Sequence, residues 1–475
     1  MSNKKQVSLE EIVSLCKRRG FIFQGSEVYG GLAGTWDYGP LGVELKRNIT
    51  NLWWKMFVED RDDMFGVDAA ILMNQKVWQA SGHVDTFHDP LVEDLVTKKR
   101  YRADHLLEDN SISAEGLSNH EIDRTIKEKN LKSPEGNELS DVRVFNMMFK
   151  THIGPVDNLG KVFGQSEDSS SPGDEKISED NLVYLRPETA QGIFTNYKNV
   201  VDAFYPDIPF GIAQIGKAFR NEISPRDFVF RSREFEQMEV EYFIHPNNWE
   251  NEFKKWVKNV HEFLDNIGID RGRVHELEVP DEERAHYSKR TIDFEFEFPH
   301  KKDELLGLAY RTDFDLMNIQ KATGRSMEYR PKDGSEPFVP HVIEPSFGLE
   351  RAVMAVLLSV YTEDEINDEK RIVLKFPKHI APVKAMVSPL LKNKPELVNK
   401  AREVYKKLHK ELGSVMWDDS GNIGKRYRRQ DEIGTPYCVT VDFESLENND
   451  VTLRDRDTTK QKRVSINDLP SELSK

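Results

Sequence analysis

The chain has 475 residues, 38% of them hydrophobic, and a formal net charge of -15 at pH 7. This length and composition predict two or three globular domains with large cores. The charged N-terminal sequence lacks an apolar run of signal-peptide or membrane-span length, which favours a cytoplasmic protein with no membrane partner. The negative charge excludes a surface that binds polyanions everywhere, so a nucleic-acid partner would need a local basic patch. Cys16 and Cys438 are too few for a disulfide framework or a four-cysteine zinc site, and both are interpreted as reduced thiols.

The N-terminal part of the chain combines a predicted helix with a long polar region. Apolar residues recur at spacings of three and four in GVELKRNITNLWWKMFVED, 42–60, as in an amphipathic helix. The polar segment from about 88 to 180 is interpreted as an insertion, and its acidic, small-residue stretch 165–180 as a mobile loop. A second charged insertion is expected at about 246–299.

Strand patterns dominate the middle of the chain. A strand-rich block runs from 182 to about 243, and strands are predicted again in TIDFEFEF and GLAYRTDFDL, before the buried helix GLERAVMAVLLSV. The hairpin-like alternation predicts an α+β domain over 1–370, in which helices flank a largely antiparallel sheet. Strands and helices alternate beyond this point and predict a separate mixed α/β domain over 371–475.

The stretch FRNEISPRDFVFRSREFEQMEVEYF, 219–243, places charged and aromatic residues together. It is interpreted as two strands joined at ISPRD, with Arg220 and Glu222 on one side of the first strand and Phe235 and Glu239 on one side of the second. Such a face offers a guanidinium for phosphate, a ring for a base and a carboxylate for an ammonium group, as a nucleotide bound beside an amino acid requires. A solvated hairpin with ion pairs fits the same residues equally well.

Two further segments contain charged residues at predicted helix starts. In IEPSFGLERAVM, Gly348 begins a helix whose first turn contains Glu350 and Arg351. A cation at a helix N-terminus is unfavourable, which suggests that Arg351 reaches for a ligand's negative charge or packs on a ring. In YLRPETAQGIF, Glu188 follows a proline at a possible helix start. A surface ion pair and a carboxylate that only stabilises the helix dipole are the simpler alternatives for these two segments.

In this order and spacing, the segments resemble the signature motifs of class II aminoacyl-tRNA synthetases, and the resemblance is closest to the dimeric, single-chain glycyl-tRNA synthetase family. The first motif resembles YGPLGVELKRNITNLWWKMF, with Pro40 and the family's dimer-interface helix. The C-terminal domain resembles the family's anticodon-binding domain. The resemblance implies an ATP-dependent glycine–tRNA ligase that is a homodimer, uses Mg²⁺ with ATP, and has ATP, glycine and tRNA(Gly) as partners.

The resemblance also implies two subsites. Arg220 and Arg351 are the expected catalytic residues, with Arg220 on the α-phosphate and Arg351 sandwiching adenine with Phe235. Arg231 and Glu304 would handle the outer phosphates and Mg²⁺. The other implied ATP-binding residues are Asn221, Glu222, which would face the adenine amino group, Phe230, Glu234, Leu305, Gly348 and Glu350. The implied glycine-binding residues are Arg102, Glu188, Glu236, Glu239, Glu344 and Ser346.

The C-terminal segment GKRYRRQ is the local basic patch that a nucleic-acid partner needs. Basic and aromatic side chains together suit splayed single-stranded bases, which favours an anticodon contact through Lys425, Arg426, Tyr427, Arg428 and Arg429. A solvated helix face has the same composition. Many relatives hold zinc through cysteine pairs, and with two cysteines in the chain we expect no structural zinc.

Two other functions remain open from the sequence. A catalytically inactive relative that binds nucleic acid would have no chemical reason to keep Arg220, Glu222, Phe235 and Arg351 together. A class II synthetase for another amino acid is the second alternative, and the crowded acidic residues around RPETAQG favour glycine.

Overall fold

A computed structural model describes the fold of residues 7–114, 116–153, 182–281, 284–285, 287–366 and 369–473. The expected loop at 165–180 lies outside these residues. The elements before residue 154 are α1 Leu9–Arg19, β1 Ile22–Gln24, β2 Trp36–Tyr38, α2 Pro40–Trp54, β3 Met64–Gly66, β4 Leu72–Met73, α3 Gln75–Ala80, α4 His83–Thr86, β5 His88–Glu93, β6 Arg100–Arg102, α5 Ala103–Asp109, α6 Asn119–Glu128, β7 Arg143–Asn146 and β8 Lys150–His152.

The remaining elements form the central and C-terminal regions. The central elements are β9 Leu182–Leu185, α7 Ala190–Phe204, β10 Phe210–Phe219, β11 Glu234–Ile244, α8 Trp249–Asn266, β12 Val274–Glu278, β13 Arg290–Glu297, β14 Lys302–Thr312, α9 Phe314–Thr323, β15 His341–Gly348 and α10 Leu349–Val360. The C-terminal elements are β16 Tyr361–Ile366, β17 Glu369–Leu374, β18 Ala385–Pro389, α11 Pro395–Leu412, β19 Val415–Trp417, α12 Ile423–Ile433, β20 Tyr437–Val441, α13 Phe443–Asn448, β21 Asp450–Asp455, β22 Gln461–Ser465 and α14 Leu469–Leu473.

A seven-stranded sheet forms the centre of the N-terminal region. Its strand order is β12-β13-β14-β15-β11-β10-β3, and its neighbouring strands are antiparallel except for β3 beside β10. Helices α8 and α10 pack against its strands. Trp53, Phe57, Trp256 and Phe347 make ring contacts in the core between them. The predicted antiparallel sheet flanked by helices is confirmed.

Part of the segment 246–299, which was expected to be an insertion, contributes strands to this sheet. Strands β12 and β13 occupy one of its edges, and β13 pairs with β14 along its length. Helix α8 buries Phe253, Trp256 and Val260 in the same core as the sheet. The prediction of an insertion is left open by this packing, because an inserted segment can add edge strands and a helix to a sheet, and it stays a prediction.

The helices predicted from the first and third motifs both form. Helix α2 starts at Pro40, where a missing N–H breaks no helical hydrogen bond, and residues 55–59 continue it as a wider π turn. Helix α10 begins directly after Gly348 and is almost entirely buried. Among all the helices in the described ranges, none combines the length and apolarity needed to cross a membrane.

A five-stranded mixed sheet organises the C-terminal region in the order β19-β18-β20-β21-β22. Helix α11 covers it with Leu397, Ala401, Val404 and Leu408 at helical spacing. This arrangement is the predicted mixed α/β unit. The predicted domain boundary at 370/371 falls within β17, which pairs with β16 and contacts α12, and it stays a prediction.

Candidate active site

The segment 219–243 forms a pair of long strands joined by a loop. Strand β10 ends at Phe219, which lies opposite Glu234 at the start of β11. Arg220 and Glu222 therefore lie in the loop and not on the first strand, which corrects the expected tight hairpin. The reason is apolar burial, because the short 3₁₀ turn Phe228–Phe230 inside this loop packs into the main core.

One face of β11 opens on a cavity of about 540 Å³. Phe235, Gln237 and Glu239 line this cavity, as the strand period of two predicts. The alternate residues Glu234 and Glu236 point to the opposite face of the strand. There Glu234 pairs with a lysine of β10 and Glu236 pairs with Lys46 of α2. Glu234 and Glu236 were expected in the site, and the structure places both outside the cavity.

Most of the residues expected from the sequence line this cavity. They are Arg102, Glu188, Arg220, Glu222, Phe230, Arg231, Phe235, Glu239, Glu304, Leu305, Glu344, Ser346, Gly348, Glu350 and Arg351. Asn221 is not among them, and its backbone N–H donates to the carbonyl of Met147. The cavity therefore brings together side chains from the polar region at 88–153 and from strands β11, β13, β14 and β15 of the central sheet.

Buried carboxyl groups occupy one part of the cavity wall. Glu239 accepts hydrogen bonds from Ser346 Oγ at 2.6 Å and from the hydroxyl of Thr189. Burial and then the charges of Glu344 and Glu188 raise the pKa of Glu239 to about 8. Burial likewise raises the pKa of Glu344. The cluster therefore holds more negative charge than it can stabilise alone and favours a cationic ligand.

Glu188 differs from Glu239 and Glu344 because its pKa is lowered and theirs are raised. Its carboxylate lies 3.3 Å from His83 Nε2. Although burial opposes the charge, His83, Arg311 and Arg220 together lower the pKa of Glu188 to about 2. His83 was missed by the sequence analysis, since a single histidine in a polar segment gives no signal of its contact with a carboxylate more than one hundred residues away.

Arg311 supplies the buried positive charge behind the carboxyl cluster. Its guanidinium donates to Glu344 at 2.6 Å and forms a two-point pair with Asp315 at 2.9 and 3.0 Å. The ring of Tyr287 lies 3.8 Å from it. Arg311 was not among the expected site residues, although it lies within the predicted strand GLAYRTDFDL, where Arg and Asp at i and i+4 were the available signal.

Two guanidinium groups stack on rings along the rest of the cavity. Arg220 lies 5.2 Å from the Phe235 ring centroid, and its Nε donates to the carbonyl of Pro187 at 3.1 Å. Arg351 lies 4.4 Å from the Phe230 centroid and donates to the Glu304 carboxylate at 2.9 Å. Flat cations beside aromatic rings can bind both the phosphates and the base of a nucleotide.

A second pair of arginines adds positive charge to the cavity wall. Arg102 forms ion pairs with Asp89 at 2.8 Å and Asp104 at 2.6 Å. Burial and the charge of Arg102 lower the pKa of Arg231, against the pull of Glu222. Arg102 was expected beside the glycine carboxylates, but its ion-pair partners are these aspartates of its own region.

Carboxylates on neighbouring strands provide oxygen ligands that suit Mg²⁺. Asp293 of β13 and Glu304 of β14 both line the cavity. Burial and then the charges of Glu304 and Glu295 raise the pKa of Asp293 to about 7, so a divalent cation would relieve their repulsion. Within the described ranges, no group of three or more histidine, cysteine or carboxylate side chains is placed so that it could hold a metal ion. One or two carboxylates fit an ion that is otherwise held by nucleotide phosphates.

The basic segment of the C-terminal region lies on helix α12 and is less exposed than expected. Arg426 is 2% exposed and donates to Ser388 Oγ and to three backbone carbonyls. This burial removes Arg426 from the expected tRNA-binding face. Arg429 forms a two-point pair with Asp418 at about 3 Å, while Lys425 is exposed. The sequence could not distinguish these side chains because all of them lie within one helical turn and a half.

Comparisons with known proteins identify the family of the chain. Residues 175–361 match the family model of the tRNA synthetase class II core domain (G, H, P, S and T), and residues 384–475 match that of the anticodon binding domain. The chain is 48% identical to a glycine–tRNA ligase of Clostridium acetobutylicum, over 98% of each chain. It is 44% identical to glycine–tRNA ligases of Thermus thermophilus and Deinococcus radiodurans, over 97% of each chain. With a class II core, an anticodon-binding domain and this identity over nearly its full length, the chain belongs to the glycine–tRNA ligase family.

Proposed function

We propose that the protein activates glycine with ATP and then transfers the glycyl group to the 3′ end of tRNA(Gly). The observation that carries this proposal is the cavity itself, where buried carboxyls lie beside guanidinium groups stacked on rings. An amino acid and a nucleotide triphosphate need these two surfaces next to each other. The full-length similarity to glycine–tRNA ligases supports the same assignment.

Glycine binds through its ammonium group in this proposal. Glu188 is ionised and Glu239 is held by Ser346 and Thr189, so the two carboxyls are positioned before the substrate arrives. The ammonium supplies the cation that the cluster lacks. Larger amino acids are rejected by steric overlap, because Ser346 and Glu239 already fill the space next to the α-carbon.

The chemical step is an in-line displacement at phosphorus. The glycine carboxylate attacks the α-phosphorus of ATP, a new O–P bond forms, and pyrophosphate leaves. Arg220 stabilises the charge that develops on the α-phosphate, and Arg351 and Phe235 hold the adenine, so catalysis is positioning plus charge stabilisation. Asp293 and Glu304 are the residues that would hold Mg²⁺, which neutralises phosphate charge when bound.

The remaining roles concern tRNA and assembly. The C-terminal domain binds the anticodon, and of the expected residues Lys425, Tyr427, Arg428 and Arg429 remain candidates for this contact.

The protein acts in the cytoplasm as a homodimer that pairs through α2. Sedimentation equilibrium would test the assembly, and a mass equal to one 55.0 kDa chain at micromolar concentration would contradict it.

Amino-acid-dependent exchange of pyrophosphate into ATP tests the proposed reaction. Glycine should support exchange, while alanine, serine and proline should support it only weakly, and tRNA(Gly) should then be charged. A different preferred amino acid would identify a synthetase of another specificity. Tight tRNA binding without exchange for any amino acid would identify a catalytically inactive relative.

A further inference from the structure

A buried ion cluster lies directly behind the nucleotide side of the cavity. Lys46 of α2 is 12% exposed, and its Nζ lies 2.8 Å from Glu236 of β11 and 3.2 Å from Glu350 of α10. The same Nζ lies 4.2 Å from the ring centroid of Tyr38. One lysine of α2 therefore connects two carboxylates and a ring that belong to three other elements, β11, α10 and β2.

Glu350 links Lys46 to the wall of the cavity. Its second carboxylate oxygen accepts the backbone N–H of Glu236 at 2.8 Å. Glu236 stands between Phe235 and Gln237, which both line the cavity, and Glu350 directly precedes Arg351. The carboxylate of Glu350 thus sets the distance between the strand that carries Phe235 and the helical turn that carries Arg351.

Close packing at the start of α2 determines where Lys46 lies. A Cβ atom at Gly42, one helical turn before Lys46, would stand 1.9 Å from the carbonyl oxygen of Phe21 and 3.1 Å from the Tyr38 ring. Only glycine allows the helix to approach this closely, and the approach brings the Lys46 ammonium over Tyr38.

We propose that Lys46 is a positioning residue for the ATP subsite, which it acts on through Glu350 without touching the nucleotide. This inference rests on the proposed binding of ATP in the cavity. The glycine carboxyls are held separately, since Glu239 is bound by Ser346 and Thr189. The role of Lys46 is therefore specific to the nucleotide half of the site.

The charges explain why a neutral residue cannot replace it. Burial raises the pKa of Glu350, and the charge of Lys46 opposes that effect next to Glu236. The groups that face one another here are Lys46, Glu236, Glu350, Tyr38 and, at longer range, Cys16. Without the ammonium, the two carboxylates repel each other unless a proton is shared between them.

The test is the kinetics of glycine-dependent pyrophosphate exchange in Lys46→Met. We expect kcat/KM for ATP to fall by about tenfold or more while the KM for glycine stays within about twofold. The defect should grow as pH rises and shrink as pH falls, because a shared proton replaces the lysine at low pH. Lys55→Met is the matched control, since Lys55 follows the same helix, is 59% exposed and pairs with Asp60.

A double variant separates positioning from folding. In Lys46→Met with Glu236→Gln, the amide can donate to Glu350, so most of the ATP defect should be rescued. Equal losses for ATP and glycine in Lys46→Met, a defect independent of pH, or no rescue would overturn the inference. If Lys46→Met does not fold, the double variant decides, and an unfolded double variant would also overturn it. If the wild type shows no glycine-dependent exchange, the proposed function itself fails. If the wild type shows exchange but the variants give one of these contrary results, only the role of Lys46 fails.

Discussion

Glu239 is a buried carboxyl that lies among other carboxyls. Its exposed fraction is 2%, and Glu344 and Glu188 both raise its pKa. A group of this kind costs free energy in the empty site and recovers it when a cation binds. In the proposed function, the glycine ammonium is this cation, and the cost falls on the stability of the free protein.

We expect Glu239→Gln to raise the KM for glycine strongly and to leave the KM for ATP nearly unchanged. The amide keeps the hydrogen bond from Ser346 but cannot ionise to pair with the ammonium when glycine binds. Pyrophosphate exchange with ATP and glycine titrated separately measures both constants. Glu234→Gln is the control, since Glu234 lies on the same strand and faces away from the cavity. Equal rises in both constants would remove Glu239 from the glycine subsite.

The raised pKa of Glu239 also predicts how stability changes with pH. The folded protein binds this proton up to a pKa of about 8, whereas the unfolded chain releases it near 4.5. Between these values the folded state holds more protons, so the free energy of unfolding falls as pH rises. Glu239→Gln should therefore gain stability relative to the wild type across this interval. Thermal unfolding without ligand at pH 5 and pH 8 measures the difference.

Arg220 lines the cavity, and the Nε of its guanidinium donates to the backbone carbonyl of Pro187. Arg220→Ala should lower glycine-dependent exchange by about 100-fold or more, because a charge developing at phosphorus loses its main protein partner. Thermal unfolding and tRNA binding should change little. Arg226→Ala, in the same loop and 45% exposed, serves as the control. Exchange within about tenfold of the wild type would contradict the assigned role.

Helix α12 shows that one basic segment can contain both structural and exposed cations. Arg426 donates to carbonyls of Pro389, Asp419 and Gly421, while Lys425 beside it faces solvent. Helical geometry separates the two directions by about 100° per residue. Composition alone therefore overestimates the tRNA-binding surface of such a segment.

We expect Arg426→Ala to destabilise the C-terminal domain by about 1–3 kcal/mol, because buried carbonyl groups lose their donor. Lys425→Ala should change stability by less than about 0.5 kcal/mol. Chemical denaturation monitored by fluorescence and circular dichroism compares the two variants. If both variants unfold at the wild-type midpoint, Arg426 does not have the structural role that its burial indicates.

At the scale of the whole molecule, α12 also joins the two domains. Glu432 pairs with Arg18 and Arg19 of α1, the latter through Nε at 2.7 Å. The preceding residue of the same helix, buried Asp431, pairs with Arg371 of β17 and Arg454 of β21. In the proposed function, tRNA charging uses both domains at once, whereas exchange uses only the catalytic domain.

We therefore expect Glu432→Gln to leave glycine-dependent exchange within about twofold of the wild type and to slow tRNA charging more strongly. The substitution weakens the contact between the N-terminal helix and the anticodon-binding domain without touching the cavity. Glu444→Gln is a suitable control, because its carboxylate is largely exposed. Unchanged charging at limiting tRNA would show that this ion pair does not hold the domains in their active arrangement.

Local elements and the residues that share one strand face could be predicted from the order of the amino acids. A period of two places Phe235 and Glu239 on the same side of β11, and Gly348 before an apolar run sets the start of α10. These features depend on neighbours within a few residues, so they can be read directly from the order of side chains. The motifs in their order were enough to suggest the family.

The contacts between charged groups, in contrast, depend on the folded arrangement of distant segments. It brings His83 to Glu188 and Arg311 to Glu344, and it turns Glu236 away from the cavity toward Lys46. These pairs join residues far apart in the chain, and their geometry depends on how sheets, loops and helices pack. A carboxylate is catalytic, structural or solvated according to the cation it meets and its depth of burial, and neither property is encoded in its immediate neighbours.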